Sequence, residues 1–598
     1  MVKANRVTPR SNQWAWLQWS RQQLAATPVS LRHRQARRWF YLTLVYNAVI
    51  AGLIWQAIAG APYTIADDAR QHVFWMWRFV DASLFPNDWI ADYYQSIAPA
   101  GYAWLYRLFA LLGVSPLVLC KLLPPTLIVL TGTIAFLTAF EISALPAAGF
   151  AASALITQAG GFTAALSSGT SKAFVYSLML LFIYGWLRRS RWLSWGAIVL
   201  QGVFSPQVVL LSAGLLCWGL VERRQGRWHW QRDRALGLLT TGGLLIAAVV
   251  ILYYAGTSSQ FGPTVTLEQA LAMPEFFRGG RASYFQTSWL ETLLHGRSGL
   301  RLDAATTPMT NFLALGLPLM LSMPQRFPLA KTVSPSIDIL LKLIVVACFW
   351  FVVAHLLLFR LHLPSRYTGR FFFMAAVLAA AIAIVLLIDA LLRWVNDRLA
   401  AQAGTTQSVL STALAVGLAG VLSLLVILYP LTMPGYPYTS VVQGNSPELY
   451  IFLANQPKTI MVAGLPVEAN NIPTFSQRSV LVSREVAIPY HTGYYQEIRQ
   501  RAKGLIAAQY SPNPAEVNTF IQQYGVTHWL LEKTAFDPLK LRQDRWIQQY
   551  QPEAGDATVV LNRGQVPFLQ SLGDRCVVFE DAQHWMLDAE CILSIAEG

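Results

Sequence analysis

Two adjacent carboxylates, Asp67 and Asp68, stand a few residues after an apolar run over 40–60, and His72 lies four positions beyond Asp68. The run has roughly the 20 residues that a helix needs to cross a bilayer, so the carboxylates fall at a membrane surface. There they can act as a general base on a hydroxyl, hold a divalent cation, or open a helix, since Asp favours the first turn. In a helix, Asp68 and His72 share a face. Asp81, Asp88 and Asp92 follow, interleaved with Trp75, Trp77, Trp89, Tyr93 and Tyr94. Rings that stack on pyranose faces, beside carboxylates that accept from hydroxyls, make a sugar site. The same composition also fits an interfacial aromatic belt.

The opposite charge comes from two other segments. Arg366 and Arg370 flank Tyr367 near a membrane mouth, and Lys172 ends the run Ser167–Lys172. Guanidinium forks match phosphate oxygens bidentately, so these cations can hold a phosphate at the bilayer surface. Long basic side chains also snorkel to headgroups on their own account. His72, Lys172, Arg366, Tyr367 and Arg370 are therefore the candidate substrate-binding residues beside the acidic pair. A longer loop, 255–308, adds Arg278, Arg281, His295, Arg297 and Arg301, with Glu268, Glu275 and Glu291, at no diagnostic spacing.

The elements that must place these residues are membrane spans. Of 598 residues, 54% are hydrophobic and 13% charged, about half the charge of an average soluble chain. The composition indicates a polytopic α-helical membrane protein. The net charge of +14 lies in short basic segments between apolar runs, a pattern of topology signals rather than of a nucleic-acid surface. Candidate spans are 40–60, 117–140, 145–165, 173–187, 192–205, 207–221, 236–254, 309–323, 337–359, 371–392 and 407–430, about 11 in all. The basic segment 1–39 has no acid, so the positive-inside rule puts it in the cytoplasm. The run after it reads as an uncleaved signal anchor. Loops 61–116, 255–308 and 361–370 then face outwards, as does everything over 431–598. This parity requires Tyr102–Leu112, interrupted by Arg107, to lie in the interface rather than cross. Proline should break the chain at Ser205-Pro206.

The segment 431–598 reads as a soluble α/β domain. Thr459–Ala463, Ser479–Ser483 and Thr527–Leu531 have strand composition. Gln496–Gln509 and Pro514–Tyr524 read as helices, the second stopped by Gly525. Cys576 and Cys591 are either bridged or free, because spacing alone does not supply the geometry.

This layout resembles the GT-C superfamily of integral-membrane glycosyltransferases, which includes protein O-mannosyltransferases, aminoarabinose transferases and oligosaccharyltransferases. The shared features are an internal N-terminus, the Asp67-Asp68 pair in a long first external loop, the interfacial helix Tyr102–Leu112 and an external soluble domain. The resemblance covers the topology of 40–430. It implies transfer of a sugar from a polyprenyl phosphate or diphosphate donor to a glycan, lipid or protein acceptor. The reaction would occur at the outer face of a cell's inner (plasma) membrane, with inversion at the anomeric carbon. By position, Asp67 and Asp68 take the base or acceptor-orienting role. Arg366, with Arg370 and Lys172, would neutralise the leaving phosphate. There is one departure: many members carry a second acid in the next external loop, and Ser167–Lys172 has none. No metal or other cofactor is therefore assigned, and a divalent cation shared between the two loops is not expected. A transporter or flippase for lipid-linked glycans is the alternative, although ionisable residues are nearly absent from the span interiors, Asp389 lying close to one end. An assembly subunit is the third reading, with Asn470–Ser476 as a partner contact.

Overall fold

The computed structural model describes residues 15–25, 30–224, 227–230, 232–257, 259–401 and 406–597. After α1 (Ala15–Leu24) come α2 (Arg34–Ala59), α3 (Ala100–Leu111), α4 (Pro116–Ser143), α5 (Pro146–Gln158) and α6 (Gly160–Leu166). Next are α7 (Val175–Leu187), α8 (Arg191–Phe204), α9 (Gln207–Gly219) and α10 (Arg234–Gly256). The bundle closes with α11 (Asp338–Leu356), α12 (Ser365–Ala401) and α13 (Thr406–Leu428).

All eleven apolar runs fall on helices, but the count of about 11 spans is not confirmed. Among the described residues six helices are long and apolar enough to cross a membrane, or seven if the pair α5 and α6, bent by 70°, is one span. The others are too short: 13 residues at about 1.5 Å each make some 20 Å, against a ~30 Å hydrocarbon core. Helix α3, of 12 residues, is likewise too short to cross. Proline at Ser205-Pro206 does separate α8 from α9.

Helix α12 is the centre of the bundle. Its mean hydropathy reaches 3.0, and 83% of its most apolar stretch is buried within the protein. A helix enclosed on every side must be apolar all round, and Ala375, Ala380, Ala381 and Ala383 let its neighbours approach closely. Helices α10 and α13 bury only 22% of the equivalent stretch, which leaves them an apolar outer face for lipid. One interior contact needs a glycine. A Cβ on Gly132 would run into the Asn47 carboxamide, and Asn47 is fixed by a 3.0 Å bond accepted from Ser153 Oγ. At the other end of α12, buried Asp389 is neutralised by Arg21 at 3.1 Å.

A two-stranded ribbon joins the bundle to the soluble part: β1 (Thr64–Ala66) pairs antiparallel with β2 (Val441–Gln443). The soluble part is built on a five-stranded sheet of β3 (Met461–Gly464), β4 (Ser479–Val480), β5 (His528–Glu532), β6 (Val577–Glu580) and β7 (His584–Asp588), in the order β4-β3-β5-β7-β6. Helices α14 (Thr492–Tyr510) and α15 (Pro514–Tyr524) pack on it. Gly525 ends α15 at φ 61° and feeds β5, the helix–glycine–strand unit that the composition indicates.

Cys576 and Cys591 are bridged, their Cα atoms 5.6 Å apart, across the hairpin of β6 and β7. The sequence separation is 15 residues, which in the chain-entropy model corresponds to about 3 kcal/mol. Replacing both cysteines by serine should therefore lower the thermal midpoint of the soluble part by several degrees under oxidising conditions, and added reductant should leave the variant unchanged.

Candidate functional site

The acidic pair is placed by backbone. Asp67 N–H donates to Ser440 O at 2.6 Å, and Gly444 N–H donates to Tyr63 O at 2.9 Å, so the ribbon of β1 and β2 locks the residues just before Asp68. Asp68 then begins a single helical turn, Ala69–His72, yet its side chain makes no capping bond there. The carboxylate turns instead to the ammonium of Lys172, with which it forms an ion pair. Lys172 is held by its own loop. Tyr106 Oη donates to Gly169 O at 2.8 Å, and Ser205 Oγ to Ser171 O at 2.8 Å. Helix α3 and the proline break after α8 thus both serve to aim this lysine.

Asp67 is paired with Arg70. Arg70 is nearly buried, at 8% side-chain exposure, and is anchored at its far side to the soluble part. Its guanidinium donates to Asn471 Oδ1 at 3.0 Å and to Glu485 Oε2 at 3.3 Å. Glu485 also accepts from Gln71 and, at 2.8 Å, from Arg281 of the loop 255–308. Three separate segments therefore meet at one carboxylate. The sequence had no spacing that could announce this, because the partners lie more than 200 residues apart.

The cations gather at the first turns of α12. Arg366 and Arg370 are one turn apart on one helix face. Arg297 reaches the same place, donating to Tyr490 Oη at 2.8 Å while its carbonyl accepts from Ser365 N–H at 3.3 Å. The His362 ring meets Tyr490 edge-on at 5.9 Å, and His491 Nδ1 lies 2.9 Å from Tyr93 Oη. His72 packs edge-on against Tyr94 at 5.5 Å. Burial, and then the charge of Arg366, push its imidazole down to about 4. His362 is pushed well below the ordinary histidine value by burial first, then by Arg366, Arg297, Arg370 and His491. The charge of Arg366 is thus felt at His72, four residues from Asp68.

Other sequence candidates are turned to different use. Tyr367 is buried, and its hydroxyl donates to Leu361 O at 2.9 Å, bracing the turn before α12. The aromatic residues of the first loop are packing rather than a sugar platform. Trp75, Tyr93 and Tyr94 are buried; Tyr93 stacks on Tyr494 at 3.6 Å, and Trp89 meets Phe261 at 4.8 Å. The interleaved acids are structural too. Asp81 pairs with Lys458, Asp88 caps the helix Trp89–Ser96, and Asp92 pairs with Arg78. Asn470, Asn471, Thr474 and Ser476 are buried, so this segment meets its own chain, through Arg70, rather than offering a free surface. Among the described residues no three His, Cys, Asp or Glu side chains converge as a metal site.

Two outcomes follow from this packing. Glu485→Ala would leave Arg281 without a counter-ion and Arg70 with Asp67 alone, a loss of about 3–5 kcal/mol for a broken buried pair. Limited proteolysis should then release the soluble part faster, at unchanged helical content of the bundle. The second outcome is acid sensitivity. His72 and His362 stay neutral when folded, whereas in the unfolded chain they take up protons near pH 6.5. As pH falls from 6.5 towards 4 the unfolded state binds more protons, so stability drops by up to about 1.4 kcal/mol per pH unit for each histidine. Thermal unfolding between pH 7.5 and 4.5 should show this slope, and His72→Gln with His362→Gln should flatten it.

No protein-family model and no curated protein matches the chain. Solved structures do. The archaeal oligosaccharyltransferase AglB from Archaeoglobus fulgidus, in complex with an inhibitory peptide and a dolichol-phosphate, aligns over 87% of this chain and 72% of its own, with a TM-score of 0.51 at 12% identity. An Archaeoglobus fulgidus oligosaccharyltransferase tethered to an acceptor peptide aligns over 86% of this chain and 72% of its own, with a TM-score of 0.48 at 14% identity. The mycobacterial arabinofuranosyltransferase AftD aligns over 83% of this chain and 36% of its own, with a TM-score of 0.46 at 13% identity. The likeness to AglB, over 87% of this chain, shows a shared fold.

Proposed function

We propose that this chain transfers a sugar from a polyprenyl-phosphate-linked donor to an acceptor at the outer membrane–water boundary. The observation that carries the reading is the ion pair of Lys172 with Asp68, beside which the charges of Arg366 and Arg370 are also felt. An acceptor hydroxyl held by Asp67, the more exposed of the two acids at 44%, attacks the anomeric carbon. The bond from that carbon to the phosphate oxygen breaks, the electron pair stays on the lipid phosphate, and the acceptor proton passes to the carboxylate. Arg366 and Arg370 meet the charge that develops on the leaving oxygen. In this reading Lys172 supplies to Asp68 the positive charge that a metal ion would otherwise bring, and no metal cofactor takes part.

The fold shared with AglB supports a lipid-linked donor, since that enzyme was captured with dolichol-phosphate. The compartment is supported by chemistry. The Cys576–Cys591 bridge suits an oxidising space outside the cytoplasm. The soluble part would then be periplasmic or extracellular, the basic N-terminal segment cytoplasmic, and the chain multi-pass in the inner membrane. A glycan, a lipid or a protein can be the acceptor.

The test is glycolipid and glycan profiling of membranes from a strain lacking the protein, complemented with wild type, Asp67→Asn, Asp68→Asn or Arg366→Ala at matched expression. A sugar product restored by wild type should fall by about 100-fold or more with Asp67→Asn, the scale of a lost general base. Full restoration by both Asp variants would make the pair structural and sink the reading.

A further inference from the structure

The charges around the head of α12 do not balance. Asp68 neutralises Lys172, Asp67 neutralises Arg70, Glu485 neutralises Arg281 and Asp303 neutralises Arg301. Arg297, Arg366 and Arg370 are left over. Among the described residues none of the three has a carboxylate at ion-pair distance, and the hydrogen bond from Arg297 goes to a neutral phenol, Tyr490. Yet they crowd together. Arg366 lies close enough to both Arg370 and Arg297 to feel their charges, and all three act on His362. Like charges held this close in a partly buried place repel strongly, more so than in open water. A bound polyanion would offset that repulsion.

The size of the excess says which polyanion. A sugar on a lipid monophosphate carries one negative charge, and its leaving group two. A sugar on a lipid diphosphate carries two, and its leaving group three. Three uncompensated guanidiniums match the second case. We propose, resting on the reading above, that the donor is linked through a diphosphate, and that Arg297 is the specificity-determining residue for its second phosphate. Arg366 and Arg370, beside His72 and the acidic pair, take the phosphate that leaves the sugar. Arg297 enters from the loop 255–308 on the side of Tyr490 and His491 and takes the phosphate that bears the lipid. His362 and His491, neutral at pH 7, can each offer one N–H to the same oxygens. The sequence mentions Arg297 only among many charges of a long loop; its fixed position between Ser365 and Tyr490 singles it out.

The experiment uses the full-length protein in nanodiscs and two probes of one chain length, geranylgeranyl phosphate and geranylgeranyl diphosphate, with Kd read by calorimetry. Wild type should bind the diphosphate at least about tenfold more tightly, the scale of one added charge-assisted contact. Arg297→Gln should erase that preference while leaving the monophosphate Kd within about twofold, and Arg366→Gln should weaken both. Equal affinities in wild type, or equal weakening of both probes by Arg297→Gln at unchanged thermal midpoint, would overturn the diphosphate assignment and leave a monophosphate donor standing. Binding of neither probe would take down the lipid-phosphate reading and this inference with it. Inorganic pyrophosphate that binds as tightly as the lipid would make the site one for a free diphosphate and overturn the lipid-linked assignment.

Discussion

A helix enclosed on every side can show charge only at its ends. Helix α12 is such a helix, and this constraint organises the protein. Its interior has to be apolar and partly small so that its neighbours can close around it, which leaves its first turns as the place where Arg366 and Arg370 can reach water. Their position is therefore set by the packing of the bundle rather than by a flexible loop. A guanidinium delivered on the end of a rigid central rod pays little ordering cost when an anion binds, and that pre-organisation is what electrostatic stabilisation of a leaving group demands.

The acids are fixed by the opposite strategy. Asp67 and Asp68 lie between the three residues of β1 and the single helical turn Ala69–His72. Rigidity comes from partners far away in sequence: Ser440 on the backbone, Lys172 from the second loop, and Arg70 tied through Glu485 to the soluble part. Each carboxylate is given one cation, and the two cations differ in kind. Arg70 is nearly buried and engaged on several sides, whereas Lys172 remains about a quarter exposed. Asp67 thus has a fixed partner and Asp68 an accessible one, so two neighbouring acids of identical chemistry are set apart by their surroundings.

Much of this was legible in the sequence because it obeys local rules. Apolar runs of a given length become helices, proline breaks α8 from α9, and glycine ends α15 before β5. The acidic pair and the Arg366–Arg370 spacing were visible for the same reason, as residue types next to membrane boundaries. What stayed hidden depends on contacts between remote segments. Composition cannot tell an aromatic sugar platform from an aromatic interface: Tyr93 stacks on Tyr494, 401 positions away, and only the fold reveals it. Arg297 and Glu485 were invisible as site residues because their significance lies in which charges they meet.

The same contacts decide what the soluble part is for. It is not an appendage on a self-sufficient helical bundle. Strand β2 completes the ribbon that holds the acidic pair, Glu485 and Asn471 hold Arg70, and Tyr490 holds Arg297. The sheet of β3 to β7 contributes no candidate reacting group, yet without the segments it carries the acids would lose their backbone partner and Arg297 its hydrogen bond. A site built this way exists only when bundle, loops and soluble part are assembled together. The many buried aromatic rings of the first loop are then best understood as the apolar seal that makes the assembly hold, with the charged residues placed where that seal stops.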